Sequence, residues 1–147
     1  MSEPDDADDS VLDEARRLEV LDRAACIELL AHHRFVGRLG FITEGRPMVL
    51  PVNYIVEGDS VVFCTAGGTK LNAIQGGADV AFEVDDTVPL YHSGWSVLVQ
   101  GHADLITDPA EVARLRRGPL RPWAKGARAN WVRISLDEIS GRRIPPT

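Results

Sequence analysis

Alternation with a period of two dominates the middle of the chain. From Arg46 onward, Met48, Leu50, Val52 and Tyr54 share one face, and Val49, Pro51, Asn53 and Ile55 share the other, because successive side chains of a strand point to opposite sides. Glu57-Gly58-Asp59-Ser60 supplies hairpin chemistry, with Gly58 free to take a positive φ. Val61, Phe63 and Thr65 then alternate with Val62, Cys64 and Ala66. The same period predicts strands over Phe35–Thr43, Asp79–Val84, Trp95–Ile106 and Trp131–Leu136. In the longest of these, Trp95, Val97, Val99 and Ala103 oppose Ser96, Leu98, Gln100 and His102, and Gly101 allows curvature.

Helical signals are shorter. Ala25, Cys26, Leu29 and Leu30 form an apolar stripe on a helix capped by Asp22 and running to His32 or His33. Gly67-Gly68-Thr69-Lys70 closes a strand and opens a helix to about Gln75, with Thr69 as cap and Gly76-Gly77 as stop. Asp108-Pro109 caps a third helix through Arg117. Between the elements, residues 11–20 predict a short helix or an arm on the barrel. Asp85–Gly94 predicts a loop, either a lid over a ligand or a surface crossover, carrying Tyr91 and His92. Gly118–Asn130 predicts a loop with Trp123, and Ser140–Arg143 leads into a proline-rich tail. Six strands, short hairpins and three short helices predict a mainly β protein built as a closed or nearly closed antiparallel barrel.

Composition narrows the setting. The 147 residues fit one domain, expected over 21–147 behind an acidic, disordered arm over 1–20. A net charge of −6 argues against nucleic acid or an anionic membrane as partner. Apolar runs are too short to cross a bilayer, and the acidic start lacks a basic secretory n-region, so a cytoplasmic location is expected. Cys26 and Cys64 give no disulfide framework and read as packing residues. The aspartates of the arm lack the glycine and closing glutamate of a calcium loop, and no metal site is expected.

The strand-to-helix corner is where chemistry enters. A helix start offers unpaired N–H groups, two glycines let the backbone approach an anion, and Lys70 adds a full charge. That suits a phosphate, although the order Gly-Thr-Lys is not a Walker A loop. His32 and His33 are adjacent and point to different sides of a helix. Arg114, Arg116, Arg117, Arg121 and Arg128 fall on different faces and read as solvated or paired with the acidic excess. No Ser-His-Asp, Cys-His or paired-carboxylate arrangement can be argued from the sequence.

The order of six segments carries a resemblance: LDRAACIELLAHHRFVGRLGF, GRPMVLPVNY, VVFCTAGGTKL, DVAFEVD, GWSVLVQGHADLI and ISGRRI. With them the chain resembles the pyridoxamine 5′-phosphate oxidase-like superfamily, whose fold is the flavin-binding split barrel, and within it the actinobacterial and nitroimidazole-resistance-like branch. The resemblance implies a homodimer with FMN in a groove between protomers. Arg46 and the backbone of Val49, Leu50, Pro51, Val52 and Asn53 would edge the ring. Thr65, Ala66, Thr69, Lys70 and Leu71 would receive the phosphate, and the partner protomer would bring Trp95, Ser96 and Val97. The apolar Trp95, Val97 and Val99 are taken as the dimer's sticky face. Trp95 and Trp123 are candidates to wall the ring, and Tyr91 and His92 to meet a substrate.

An FMN-dependent oxidoreductase of unnamed substrate is therefore expected, with the flavin and not a protein nucleophile carrying the chemistry. The alternatives are an F420-dependent reductase, and a non-catalytic flavin or haem carrier or sensor with His32, His33, His92 or His102 as axial ligand. Two departures stand out. Ala25-Cys26 replaces the Glu-Cys common in relatives, and ISGRRIPPT lacks the arginine-and-tryptophan ending of the vitamin B6 oxidases, so that particular activity is not expected.

Overall fold

The computed structural model describes residues 18–32, 35–121 and 129–146; Phe35, Thr69, Lys70 and Leu71 are described by their backbone alone. His33, Trp123, Arg128 and most of the N-terminal arm lie outside the described residues. The elements are β1 (Glu19–Leu21), α1 (Arg23–His32), β2 (Phe35–Thr43), β3 (Arg46–Glu57), β4 (Ser60–Thr65), α2 (Thr69–Ile74), β5 (Ala78–Val88), β6 (Ser93–Leu105), α3 (Pro109–Arg116), β7 (Asn130–Ser135) and β8 (Glu138–Ile144), with a 3₁₀ turn over Pro89–Tyr91. No helix among the described residues is long and apolar enough to cross a membrane.

Six antiparallel strands close a barrel in the order β6-β5-β2-β3-β4-β7, with β7 returning to β6. The long β6 makes the closure possible by forking. Its first part, Gly94–Gln100, pairs with β8, and its last, Ala103–Leu105, pairs with β7. Gly101 stands at the fork, where a Cβ would collide with the backbone carbonyl oxygen of Ser135. At the position expected to allow curvature, the glycine permits a close approach of two strands of the same chain. β1 adds to the free edge of β8.

The alternating faces are as the pattern predicts. Leu39, Phe41, Val52, Tyr54, Val61, Phe63, Phe82, Val97 and Val99 fill the barrel, joined by Cys26 and Leu30 from α1 and Ile74 from α2. The Asp22 side chain caps α1, accepting the Ala25 N–H at 2.8 Å. At the other end of the helix the Tyr54 hydroxyl donates to the Leu30 carbonyl at 2.8 Å. β4 is buried on both faces, because Val62 and Cys64 pack outward against Ile106, Leu115, Leu120 and Trp131. Arg114 clamps α3 to the β3–β4 hairpin through two bonds to Glu57, at 2.9 and 2.7 Å. Both cysteines are free and buried, and burial pushes both thiols up, as befits packing residues.

Several boundaries differ from expectation. Ser140–Arg143 is no lead into a tail but the centre of β8; its inward position is Gly141, pressed under the Cys26 sulfur, so no apolar alternation marks it. Glu19 and Val20, assigned to the arm, begin the ordered sheet in β1. The loop expected over Asp85–Gly94 shrinks to a tip. β5 runs on to Val88 and β6 starts at Ser93, paired all the way to Val88↔Ser93, beyond the core and hence without apolar patterning. α2 stops at Ile74, and α3 starts at Pro109 with no side-chain bond from Asp108.

Candidate functional site

β3 is a one-sided strand over most of its length. It pairs with β2 from Arg46 to Tyr54, whereas its ladder with β4 covers only Tyr54–Glu57. Among the described residues, the edge from Arg46 to Asn53 away from β2 has no strand partner. The hairpin fixes which groups point there. Glu44 and Gly45 take φ of 53° and 74°, the two-residue turn whose flanking pair, Thr43↔Arg46, exchanges both hydrogen bonds. Even-numbered residues of β3 therefore bond β2, and odd-numbered ones face the open edge. Pro47 and Pro51 are odd, so their missing N–H groups cost β2 nothing. The open edge offers the N–H of Val49 and Asn53 and the carbonyls of Pro47, Val49 and Pro51, the Asn53 carbonyl being the last that the Tyr54↔Phe63 pairing turns to β4.

The side chains of this stretch divide by parity. Arg46, Val49 and Pro51 are exposed, Asn53 and Leu50 are half-buried, and Val52 is buried. Leu50 and Val52 project inward, so only their backbone can serve a ligand outside the barrel. The corner lies beside this edge: Tyr54 pairs with Phe63, and β4 continues two residues further to Thr65, level with Val52. Thr65 is buried and Ala66 exposed. Gly67 and Gly68 then take φ of 106° and 95°, which only glycine adopts without strain. The first helical bond runs from the Asn72 N–H to the Gly68 carbonyl. Thr69, Lys70 and Leu71 follow in α2, with side chains outside the described set.

The remaining expected residues lie elsewhere. β6 stands three strands from β3, across β2 and β5, or roughly 14 Å at ordinary strand spacing. One chain does not bring Trp95, Ser96 and Val97 to the β3 edge. Val97 and Val99 are 0% exposed and face the chain's own core. They are not a sticky face, and that ground for a dimer falls. Trp95, half-buried, instead lines a groove of about 310 Å³ and stands in register between Asp86 of β5 and Arg143 of β8. Tyr91 and His92 sit at the exposed tip of the β5–β6 hairpin, with His92 at φ 47°.

Two features escaped the sequence reading. β2 and β5 pair only over Arg38–Gly40 with Glu83–Ala81 and part beyond, opening a groove of about 590 Å³. Phe41, Ile42, Met48, Val49 and Val80 give its lining an apolar part, and Asp79 and Glu138 add carboxylates. Further along the same outer face, Arg38 Nη1 lies 3.3 Å from Glu83 Oε1 and 2.8 Å from Asp85 Oδ2. Glu83 is pushed up to about 7, by burial first and then by the hydrogen bond and charge of Asp85, against the pull of Arg38. The signal was available: carboxylates two apart on a strand share a face.

His102 has Nδ1 3.1 Å from Asp79 Oδ1 and Nε2 3.6 Å from Asp104 Oδ1, and the Asp79 hydrogen bond raises its pKa. Both ring nitrogens thus face carboxylates. No cluster of three metal-ligating side chains occurs among the described residues. The arginines do not gather either: Arg114 holds Glu57, and Arg121 turns to the backbone carbonyls of Arg116, Gly118 and Leu120.

A closed six-stranded barrel whose long strand forks, and whose third strand leaves one edge open, is a split barrel. The chain belongs to the pyridoxamine 5′-phosphate oxidase family, whose model matches residues 22–143. An uncharacterized protein of Mycobacterium tuberculosis is 37% identical over 135 residues, 88% of each chain. Among solved structures, the FAD binding protein from Mycobacterium smegmatis is 35% identical with a TM-score of 0.74, over 88% of this chain and 100% of that one. A conserved protein of unknown function from Corynebacterium diphtheriae is 30% identical with a TM-score of 0.73, over 87% and 98%.

Proposed function

We propose that this chain is a flavin-binding oxidoreductase that works as a homodimer, with FMN along the open edge of β3. The observation that carries the reading is the edge itself, a row of unpaired backbone groups from Pro47 to Asn53 in which the Val49 and Asn53 N–H groups flank carbonyls, beside a Gly-Gly corner. The pyrimidine rim of a flavin presents carbonyl, N–H and carbonyl in turn, which such a row can meet group for group. The 35% identical neighbour is itself an FAD binding protein, and this favours a flavin over F420. When bound, the flavin would supply the hydride or electron transfer. The chain's part is to hold and orient it: Val49 and Asn53 donate along the rim, exposed Val49 offers apolar cover, and the corner at Gly67 and Gly68 leaves room for the phosphate.

A second copy is needed on this reading, because Trp95 cannot reach the β3 edge within one chain. The face it would cover is the outer side of β2, β3, β5 and β6, where Val49 is 64%, Ile42 61%, Val36 40% and Leu98 39% exposed. That is a large apolar share for strand faces in contact with water.

The visible spectrum of the purified protein is the first test, since flavin, F420 and haem absorb differently. Titration with FMN and FAD then identifies the flavin. Lys70→Ala tests the corner: a charge-assisted bond contributes about 1.5–3 kcal/mol, so FMN binding should weaken roughly ten- to a hundredfold. Riboflavin, which has no phosphate, should bind unchanged. Equal loss for both ligands, or none for FMN, would remove the phosphate from this corner.

A further inference from the structure

The outer face just assigned to the second copy carries a charge imbalance. Glu83 and Asp85 project from it side by side on β5, and both reach the one guanidinium of Arg38 on β2. With both carboxylates ionised the trio is −1, and with one proton between them it is neutral. Nothing packed around Glu83 corrects this. β6 places Leu98 opposite it, flanked by Ser96 and Gln100, none of them charged. β3 places Pro51 opposite Arg38. Further along β5 and β6 the face carries Asp79, His102 and Asp104, with the His102 ring between the two carboxylates at 3.1 and 3.6 Å, and the other charges on it belong to β8. Arg142 stands beyond Ser96 and Glu138 beyond Gln100, opposite in sign and one in each flanking row, so they offset one another. Immediately around the trio the face is apolar, with Val36, Pro51 and Leu98 beside it, which suits contact with a copy of itself about a two-fold axis.

We propose that pairing of two copies through this face is coupled to proton uptake by Glu83 and Asp85, so that the dimer holds one shared proton per trio and tightens as the solution is acidified. The inference rests on the dimer proposed above. Its cause is the cost of withdrawing an uncompensated charge from water, paid twice in a symmetric interface. The carboxyl of Glu83 already holds its proton to about 7, with burial as the main cause, so the uptake falls in the neutral range. Covering the face withdraws Glu83 further from water and draws that proton in more firmly.

The test is the dimer dissociation constant by sedimentation equilibrium at pH 6 and pH 8, for the full chain and for Glu83→Gln. Glutamine copies the protonated acid, keeping an oxygen for Arg38 and an amide for Asp85. The wild type should dissociate about tenfold or more readily at pH 8 than at pH 6. Glu83→Gln should stay at pH 8 as tight as the wild type at pH 6. Asp85→Asn, which also leaves one carboxylate for one guanidinium, should flatten the dependence in the same way; circular dichroism confirms that each variant is folded. A wild-type dimer indifferent to pH, or folded variants that keep its slope, overturns the coupling and leaves the dimer standing. A wild type monomeric at both pH values overturns both.

Discussion

Removing one oxygen from Tyr54 tests how the first helix is fastened to the barrel. Leu30 lies within the last turn of α1, which ends at His32, so its carbonyl is among the four with no helical donor. The Tyr54 hydroxyl donates to that carbonyl at 2.8 Å from a buried position. Its ring meets Phe82 edge-on, centroids 5.0 Å apart and planes at 74°. Tyr54→Phe keeps the ring contact and leaves the Leu30 carbonyl without its phenol. A buried acceptor short of a donor costs about 1–3 kcal/mol, or a fall in Tm of roughly 3–8 °C for a chain of this size. Thermal and urea unfolding followed by circular dichroism would measure it, with the urea midpoint lowered and the slope unchanged. A pH arm adds a sign. Burial raises the phenol's pKa above its ordinary 10.0, so the fold holds the neutral form and loses stability as pH climbs past 10. The phenylalanine variant has no such loss, and the gap between the two proteins should narrow there. A Tm within about 1 °C of the wild type at neutral pH would refute the reasoning, showing that water replaces the hydroxyl and the ring alone matters.

Two further predictions concern the closure of the barrel. Gly101→Ala drives a Cβ into the Ser135 carbonyl oxygen at the fork of β6; backbone cannot swing aside as a side chain can, so a loss of about 3 kcal/mol is expected in urea unfolding, and an unaltered midpoint would show that the fork opens freely. The bonds from Arg114 hold the Glu57 carboxyl below its usual range, so their contribution is present above about 4.5 and fades as pH falls through the lowered value. Arg114→Ala should therefore lower Tm at pH 6 and converge with the wild type toward pH 3, and parallel Tm curves would count against the clamp.

The strands were legible wherever alternate residues meet the barrel core. Val61, Phe63, Val97 and Val99 are all buried, and the period of two marks them without help from anything else. It fails where a strand leaves the core or fills it with something other than an apolar side chain. Gly141 of β8 buries its backbone under Cys26, and the run Asp85-Asp86-Thr87 is held by pairing to β6 alone. The apolar face of β6 was seen and misassigned. Periodicity states that Trp95, Val97 and Val99 share a side, but whether that side faces a partner or the chain's own interior depends on barrel closure, a property of pairs such as Ala103↔Ile134 that are far apart in sequence.

The site repeats the lesson at shorter range. The corner was legible because its cause is local: Gly67 and Gly68 take conformations that other residues resist. The open edge of β3 was written in the chain too, in Pro47 and Pro51. A strand interior flanked on both sides tolerates no proline, since each one deletes a donor from a ladder. Two prolines four apart delete donors on the same edge, and only a strand with that edge unpaired accommodates both without loss. Combined with the Glu44-Gly45 turn, which sends the even-numbered residues toward β2, they single out the edge carrying the Val49 and Asn53 N–H groups. A Val49→Pro substitution tests this reasoning directly. It removes one donor from the open edge and none from the β2 ladder, so the barrel should melt within about 1 °C of the wild type while flavin affinity drops about tenfold. Unfolding of the variant would mean that Val49 bonds β2 and that the edge faces the other way.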